Sequence, residues 1–513
     1  MNQNLDRQVR EILSRWTEGL CPGGQVLIRR EGRSVYEGCF GFANLENRVP
    51  VTEDTIFHIA SISKQFTVLA VLLLQEDGLL SVDDDIRLYV GDLINFKEPV
   101  TIRQMFNNVS GIRDQWELLF MRGIKINDSI SMEDVNETIR LQKTLNFPPQ
   151  EGYLYSNTGF HLLSVIVERV SKIPFPRFVK ERIFTPLHMD RTVVRAGYNQ
   201  IIPGLAYSYQ DDGTGTYDYN PLNYSLYGPT SVNTCARDLV RILEEYRSPS
   251  LFCHDTVKTV LTAACLKDGS SIEYCGGMMT HVWKGLKVYE HGGADAAYRG
   301  QLLWIPEKEL EVVLLSNTNT YAASVTARKL AATALGLFED PETRDTQGAC
   351  KAAPGIYVTC LPDDPMIVEI TEQDGVCYMT REYGAAPLVP QDDKACRIGS
   401  LDEYMVFCGE TLEYCLPARR ITLQKARHTP DRDSGPLEGT YLQEETLCTL
   451  TVRQDGERLS VSHPRYGTAP LYFTGDGRGI FGFGTDFVMY VSPCEQGIRL
   501  DGYRARNMLA SRL

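Results

Sequence analysis

Ser61 and Lys64 stand one helical turn apart in the run Phe57-His58-Ile59-Ala60-Ser61-Ile62-Ser63-Lys64, which opens the most continuously apolar helical stretch of the chain. Residues three apart share a helix face, so the hydroxyl and the ammonium can meet. A serine hydroxyl is a poor nucleophile at neutral pH and needs a neighbour to take or share its proton. At a helix N-terminus the positive end of the dipole disfavours a nearby ammonium, which biases Lys64 towards giving up its own proton. The pair alone is weak evidence, because the same residues also make an ordinary N-cap followed by a solvated lysine.

Two further clusters add weight. Tyr155-Ser156-Asn157 sets a phenol and an amide two positions apart, just before the apolar stretch that begins at Gly159. His291-Gly292-Gly293 sits where the strand-like Lys287-Val288-Tyr289-Glu290 ends, and each triplet occurs once in the chain.

The elements that must position these residues follow from periodicity. Gln25 to Ile28 and Ser34 to Tyr36 flank Glu31-Gly32-Arg33 as a hairpin, and Leu302 to Ile305 and Leu310 to Leu315 flank Pro306 to Glu309 as another. Helical patterns lie between them over Gln65 to Asp77, Ile102 to Asn107, Met132 to Lys143, Gly159 to Val170 and Ala236 to Tyr246, and a further helix over Tyr321 to Leu335 closes the region. If both hairpins join one sheet, the early and late segments share a core and residues 1–338 form one domain. A polar linker over 339–353 follows. Beyond it, Gly355-Ile356-Tyr357, Gln373-Asp374-Gly375 and Tyr383-Gly384 return as Gly439-Thr440-Tyr441, Gln454-Asp455-Gly456 and Tyr466-Gly467, at offsets of 84, 81 and 83 residues. This repeat predicts two related antiparallel β-barrels, 354–426 and 437–513, separated by a linker over 427–436.

A net charge of -14 argues against nucleic-acid and anionic-membrane partners. The longest aliphatic stretch, Val68 to Leu74, is too short to span a bilayer. Met1 leads directly into an amphipathic helix pattern, so the expectation is a cytoplasmic protein. The 14 cysteines contain no Cys-x-x-Cys pair and read as reduced residues, not zinc ligands. Gly477-x-Gly479-x-x-Gly482 precedes a strand instead of a helix, which removes the dinucleotide reading. No metal or cofactor is expected.

In order and context the three clusters resemble the signature elements of the penicillin-recognising serine hydrolases, the class C β-lactamase-like family. Ile59 to Thr67, Gly78-Leu79-Leu80-Ser81-Val82-Asp83-Asp84 and Ser110-Gly111-Ile112-Arg113-Asp114 resemble it too. The resemblance implies an α+β fold over roughly residues 5 to 335: a β-lactamase-like antiparallel sheet flanked by helices, with an inserted helical region. It also implies roles. Ser61 would form an acyl-enzyme, Lys64 would ease its deprotonation, and Tyr155 would relay protons as a phenol of depressed pKa. Asn157 would donate its amide to the substrate. The N–H groups of Ser61 and Ala294 would form the oxyanion hole, and Gly292 and Gly293 would leave the strand edge open to the substrate.

The third element departs from most of the family, which carries a lysine where this chain has His291. A histidine there is mostly neutral near pH 7, so anionic substrates lose an anchor. This feature, with two C-terminal barrels, resembles the D-aminopeptidase branch. The resemblance then implies a loop from the last barrel that presents an acid to the substrate's ammonium, with Asp476 in Gly475-Asp476-Gly477 as the candidate. The expected activity is release of N-terminal D-amino acids from short peptides, amides or esters. The alternatives are an esterase, a β-lactamase-like hydrolase or DD-peptidase using the same serine, and an acyl-binding protein without turnover. A homodimer stays open.

Overall fold

The computed structural model describes residues 3–513 except 338–351, 360–364, 382–383, 392–393, 399–402, 417–418, 430–436, 457 and 485–486. Its first sheet is built from β1 (Gly24–Arg30), β2 (Arg33–Phe40), β3 (Tyr274–Cys275), β4 (Met278–Trp283), β5 (Leu286–Asp295), β6 (Tyr298–Ile305) and β7 (Leu310–Ser316). The spatial order is β3-β4-β5-β6-β7-β1-β2. The two hairpins meet as the sequence predicts, because β1 runs antiparallel to β7 from Gly24 opposite Ser316 to Arg30 opposite Leu310.

Side chains alternate across a strand, so β7 serves both faces of the sheet. Val312 and Leu314 join the cluster under the helices α1 (Gln3–Ile12) and α5 (Ala323–Leu335), where Val9, Leu13, Ala327 and Leu330 are buried. Val313 and Leu315 face the larger cluster built on the helix α2 (Lys64–Glu76).

Every residue of α2 from Lys64 to Leu74 is buried, including the polar ones. Burial of a helix on all sides explains its near-continuous apolar sequence. Its polar groups find partners inside: Thr67 Oγ1 donates to the Gly228 carbonyl and Tyr246 donates to Gln65 Oε1. The helix ends at Gly78, whose φ of +70° suits glycine, and Leu79 N–H closes back onto the Leu74 carbonyl at 2.9 Å. Alongside lies α4 (Asn157–Ser171), with α3 (Gln115–Met121) in the inserted helical region.

Two closed eight-stranded barrels follow, running from Gly355–Thr359 to Arg419–Lys425 and from Gly439–Gln443 to Met508–Arg512. The repeat survives in atomic detail. Tyr357 donates to the Ala353 carbonyl at 3.0 Å and Tyr441 to the Leu437 carbonyl at 2.8 Å, both four residues back, and both rings are buried. Of the expected linkers, 339–351 and 430–436 lie outside the described residues, as does Tyr383 of the repeat. Among the described residues no helix is long and apolar enough to cross a membrane.

The second barrel packs on the inserted helical region of the first domain. Leu118, Phe120 and Met121 of α3 enter the barrel's own apolar cluster beside Leu450 and Met489. Beside them, Arg113 pairs with Glu445 at 3.2 Å, the guanidinium side chain fully buried. The helix predicted over Met132 to Lys143 stops at Arg140. Lys143 and Thr144 turn their N–H groups onto the Glu445 carboxylate, and Gln142 donates to the Glu445 carbonyl. Contact with the barrel therefore overrides the helical pattern.

Candidate active site

Ser61 lies on a 3-10 turn, Ala60–Ser63, that feeds directly into α2. Ala60, just before it, has φ +46°, a left-handed conformation that costs a non-glycine residue on the order of 1 kcal/mol. Strand β5 presses on this turn. A β-carbon on Gly293 would come within 2.1 Å of the Ile59 carbonyl oxygen, so only glycine fits. His291 and Gly293 face inward, whereas Gly292 and Ala294 are exposed. Pairing of β5 with β4 runs only from Leu286 to Glu290, which leaves the edge at His291 to Ala294 open beside Ser61.

Lys64 is fully buried and donates to Ser61 Oγ at 3.0 Å, Asn157 Oδ1 at 2.8 Å and the Pro229 carbonyl at 2.8 Å. Burial pulls its pKa down to about 7, against the opposing fields of Asp295 and Asp114. Near neutrality it can therefore take a proton from Ser61.

The Tyr155 ring centre lies 4.7 Å from Lys64 Nζ. The expected depression of its pKa is not found. Burial pushes the phenol well above its ordinary value, against the lowering influence of Ser61 and Arg504. Tyr155 thus stays protonated and can act as a donor.

Asn157 also differs from expectation. Its side-chain amide donates to Asp114 at 2.8 Å, its backbone N–H donates to the same oxygen at 2.6 Å, and its carbonyl accepts from Lys64. It orients the lysine. His291 sets Nδ1 2.6 Å from the Gly292 carbonyl, which assigns the proton to that nitrogen. Burial, reinforced by Lys64, pushes its pKa down to about 4 and keeps the ring neutral.

The structure does not bring Asp476 beside Ser61. Its carboxylate is tied to Thr474 and Arg478 within its own turn, and the adjoining Gly475 packs against Gln424 of the first barrel and Arg427 just beyond it. The barrel segment that reaches the cleft is instead Gly502 to Asn507. Asp114 N–H donates to the Arg504 carbonyl, Asn146 holds the backbone of Arg504 and Arg506, and Glu117 accepts from the N–H groups of Arg504 and Ala505. That loop carries a cation, Arg504, whose guanidinium lies 5.3 Å from the Tyr155 ring centre. Sequence reasoning missed Arg504, which no local motif marks, and gave Asp114 no role although its motif was in view. Among the described residues no cluster of histidine, cysteine or carboxylate side chains could hold a metal.

Residues 5–337 match the Beta-lactamase family model. The chain is 30% identical over 335 residues to a D-aminopeptidase of Gluconobacter oxydans, a match covering 64% of this chain and 61% of that enzyme. It is 27% identical to a D-aminopeptidase of Brucella anthropi over 85% of this chain and 81% of the other. The octameric penicillin-binding protein homologue from Pyrococcus abyssi superimposes with a TM-score of 0.58 at 25% identity, covering 83% of this chain and all of that one. With Ser61, Lys64 and Tyr155 assembled on that scaffold, the chain belongs to the Beta-lactamase family.

Proposed function

We propose that the protein is a serine hydrolase that forms an acyl-enzyme on Ser61 and releases N-terminal D-amino acids from short peptides, amides or esters. The observation that carries the reading is the 3.0 Å contact between Lys64 Nζ and Ser61 Oγ, made by a buried lysine whose pKa is about 7. The neutral amine takes the Ser61 proton as Oγ attacks the acyl carbon. The Ser61 and Ala294 N–H groups stabilise the oxyanion. The Lys64 ammonium so formed returns that proton to the departing group, with the Tyr155 phenol as a hydrogen-bond donor beside it, and water then releases the acid by the same steps in reverse.

The substrate class is supported by similarity to D-aminopeptidases. The test compares turnover of D-alanyl and L-alanyl p-nitroanilide. Faster release from the D-isomer, lost in Ser61→Ala, is the expected result, whereas equal rates or persistence in that variant would falsify it. An esterase is the second reading, favoured by neutral His291, which leaves a substrate carboxylate no cation at that position.

A further inference from the structure

Among the described residues, the second barrel extends the guanidinium of Arg504 over Tyr155 with no hydrogen bond to its donors. Its backbone is held on both sides: the N–H by Glu117, the carbonyl by Asp114 and Asn146. Gly502 lies close against the same carboxylate, since a β-carbon there would come within 2.4 Å of Glu117 Oε2. The backbone that carries the Arg504 side chain is thus held in place. Its guanidinium lies 5.3 Å from the Tyr155 ring centre and 5.2 Å from that of Tyr503, and the side chain keeps 30% of its surface accessible.

A guanidinium carries five N–H donors in a planar fork that matches a carboxylate. Among the described residues its charged contact is Asp114, at 3.6 Å, which is outside hydrogen-bond range. The Asp114 carboxylate is already occupied by the Trp116 N–H and by both nitrogens of Asn157. Asp114 and Glu117 therefore lie near Arg504 without filling its fork. A guanidinium so placed, with the Tyr155 ring beneath it, can take an anion through its open fork.

We infer that Arg504 is a carboxylate anchor and that the substrates of Ser61 carry a carboxylate within reach of the cleft. The inference rests on the serine-hydrolase reading and narrows it, favouring short peptides with a free C-terminus or acyl groups bearing an acid over neutral amides and esters. It also returns to the cleft the cation that His291 does not supply, from a different element of the chain.

The test uses two pairs of esters that differ only in charge. Mono-p-nitrophenyl adipate against its methyl ester places the carboxylate on the acyl half; a m-carboxyphenyl ester of phenylacetylglycine against the phenyl ester places it on the leaving half. The wild-type protein should prefer the charged member of at least one pair by tenfold or more in kcat/KM. Arg504→Gln should remove that preference, Arg504→Lys should restore part of it, and raising the salt concentration should weaken it in the wild type. Absence of a charge preference in both wild-type pairs overturns the inference with no variant needed, and a preference unchanged in Arg504→Gln overturns it as well. Hydrolysis of D-alanyl p-nitroanilide with none of the four esters accepted overturns the inference too, whereas failure on all five substrates refutes the serine chemistry itself, a separate result.

Discussion

Gly293 lies against the Ile59 carbonyl so closely that an added β-carbon would sit 2.1 Å from the oxygen. Since Ile59 leads straight into Ala60 and Ser61, this contact sets the distance between the open edge of β5 and the nucleophile. Gly293→Ala must push the two apart by an ångström or more. Displacements of that size at a reacting centre cost on the order of 100-fold in rate. We expect kcat to fall by about that factor while circular dichroism stays native, and a variant with full activity would show that the contact does not position Ser61.

Lys64 sets the pH profile. Its pKa is lowered by burial to about 7, and the amine is the proton acceptor above that value. The ratio kcat/KM should therefore rise as pH passes through about 7 and level off above it. His291, held down at about 4, stays neutral throughout and adds no limb in that range. A profile measured with a neutral ester, flat between pH 5.5 and 8.5, would contradict the assignment.

The same shift links to stability. Unfolded Lys64 keeps its proton up to its ordinary 10.5 while the folded one releases it near 7, so folding carries a penalty below pH 7 that diminishes between those values. Lys64→Met removes the penalty. Its stability gain over the wild type, read from urea midpoints, should be largest at pH 6 and shrink towards pH 10, with turnover lost at every pH.

Asp476→Ala should change little. The carboxylate closes its own turn through Thr474 and Arg478, so the variant should lose a few tenths of a kcal/mol of stability at most. Rates with free-amine and N-acylated substrates should both stay within twofold of wild type, and a selective loss of the amine substrates would restore Asp476 to the site.

The sheet, the core helix and both barrels were legible because each leaves a local signal: the Glu31-Gly32-Arg33 turn between β1 and β2, an unbroken apolar run in β7 and α2, and a repeat that restarts at Gly439. Ser61 and Lys64 were legible because one helical turn joins them. Their surroundings were not. That Asn157 turns its amide to Asp114, or that Lys64 reaches the face of Tyr155 and not its oxygen, depends on how separate helices pack. The Asp-Gly turn at Asp476 has the same sequence whether it faces a cleft or a neighbouring barrel. Arg504 enters the site only through the docking of a whole domain, for which no local pattern exists.

That docking rests on a buried ion pair, and its removal should be felt at the active site. Arg113 has no solvent exposure and reaches Glu445 at 3.2 Å, while the same carboxylate accepts from the backbone of Lys143 and Thr144. Glu445→Ala leaves the guanidinium buried without its counter-charge and frees two N–H groups, a loss of about 3–5 kcal/mol by analogy with other broken buried pairs. Arg113 also donates to the Arg506 carbonyl, so the loop that carries Arg504 should loosen with it. The expected outcome is an early unfolding transition of the second barrel in guanidinium, with exposure of the α3 surface at Leu118 and Met121 to hydrogen exchange. A single unfolding transition at the wild-type midpoint would mean that the apolar contact of α3 with the barrel suffices and that the ion pair is dispensable for docking.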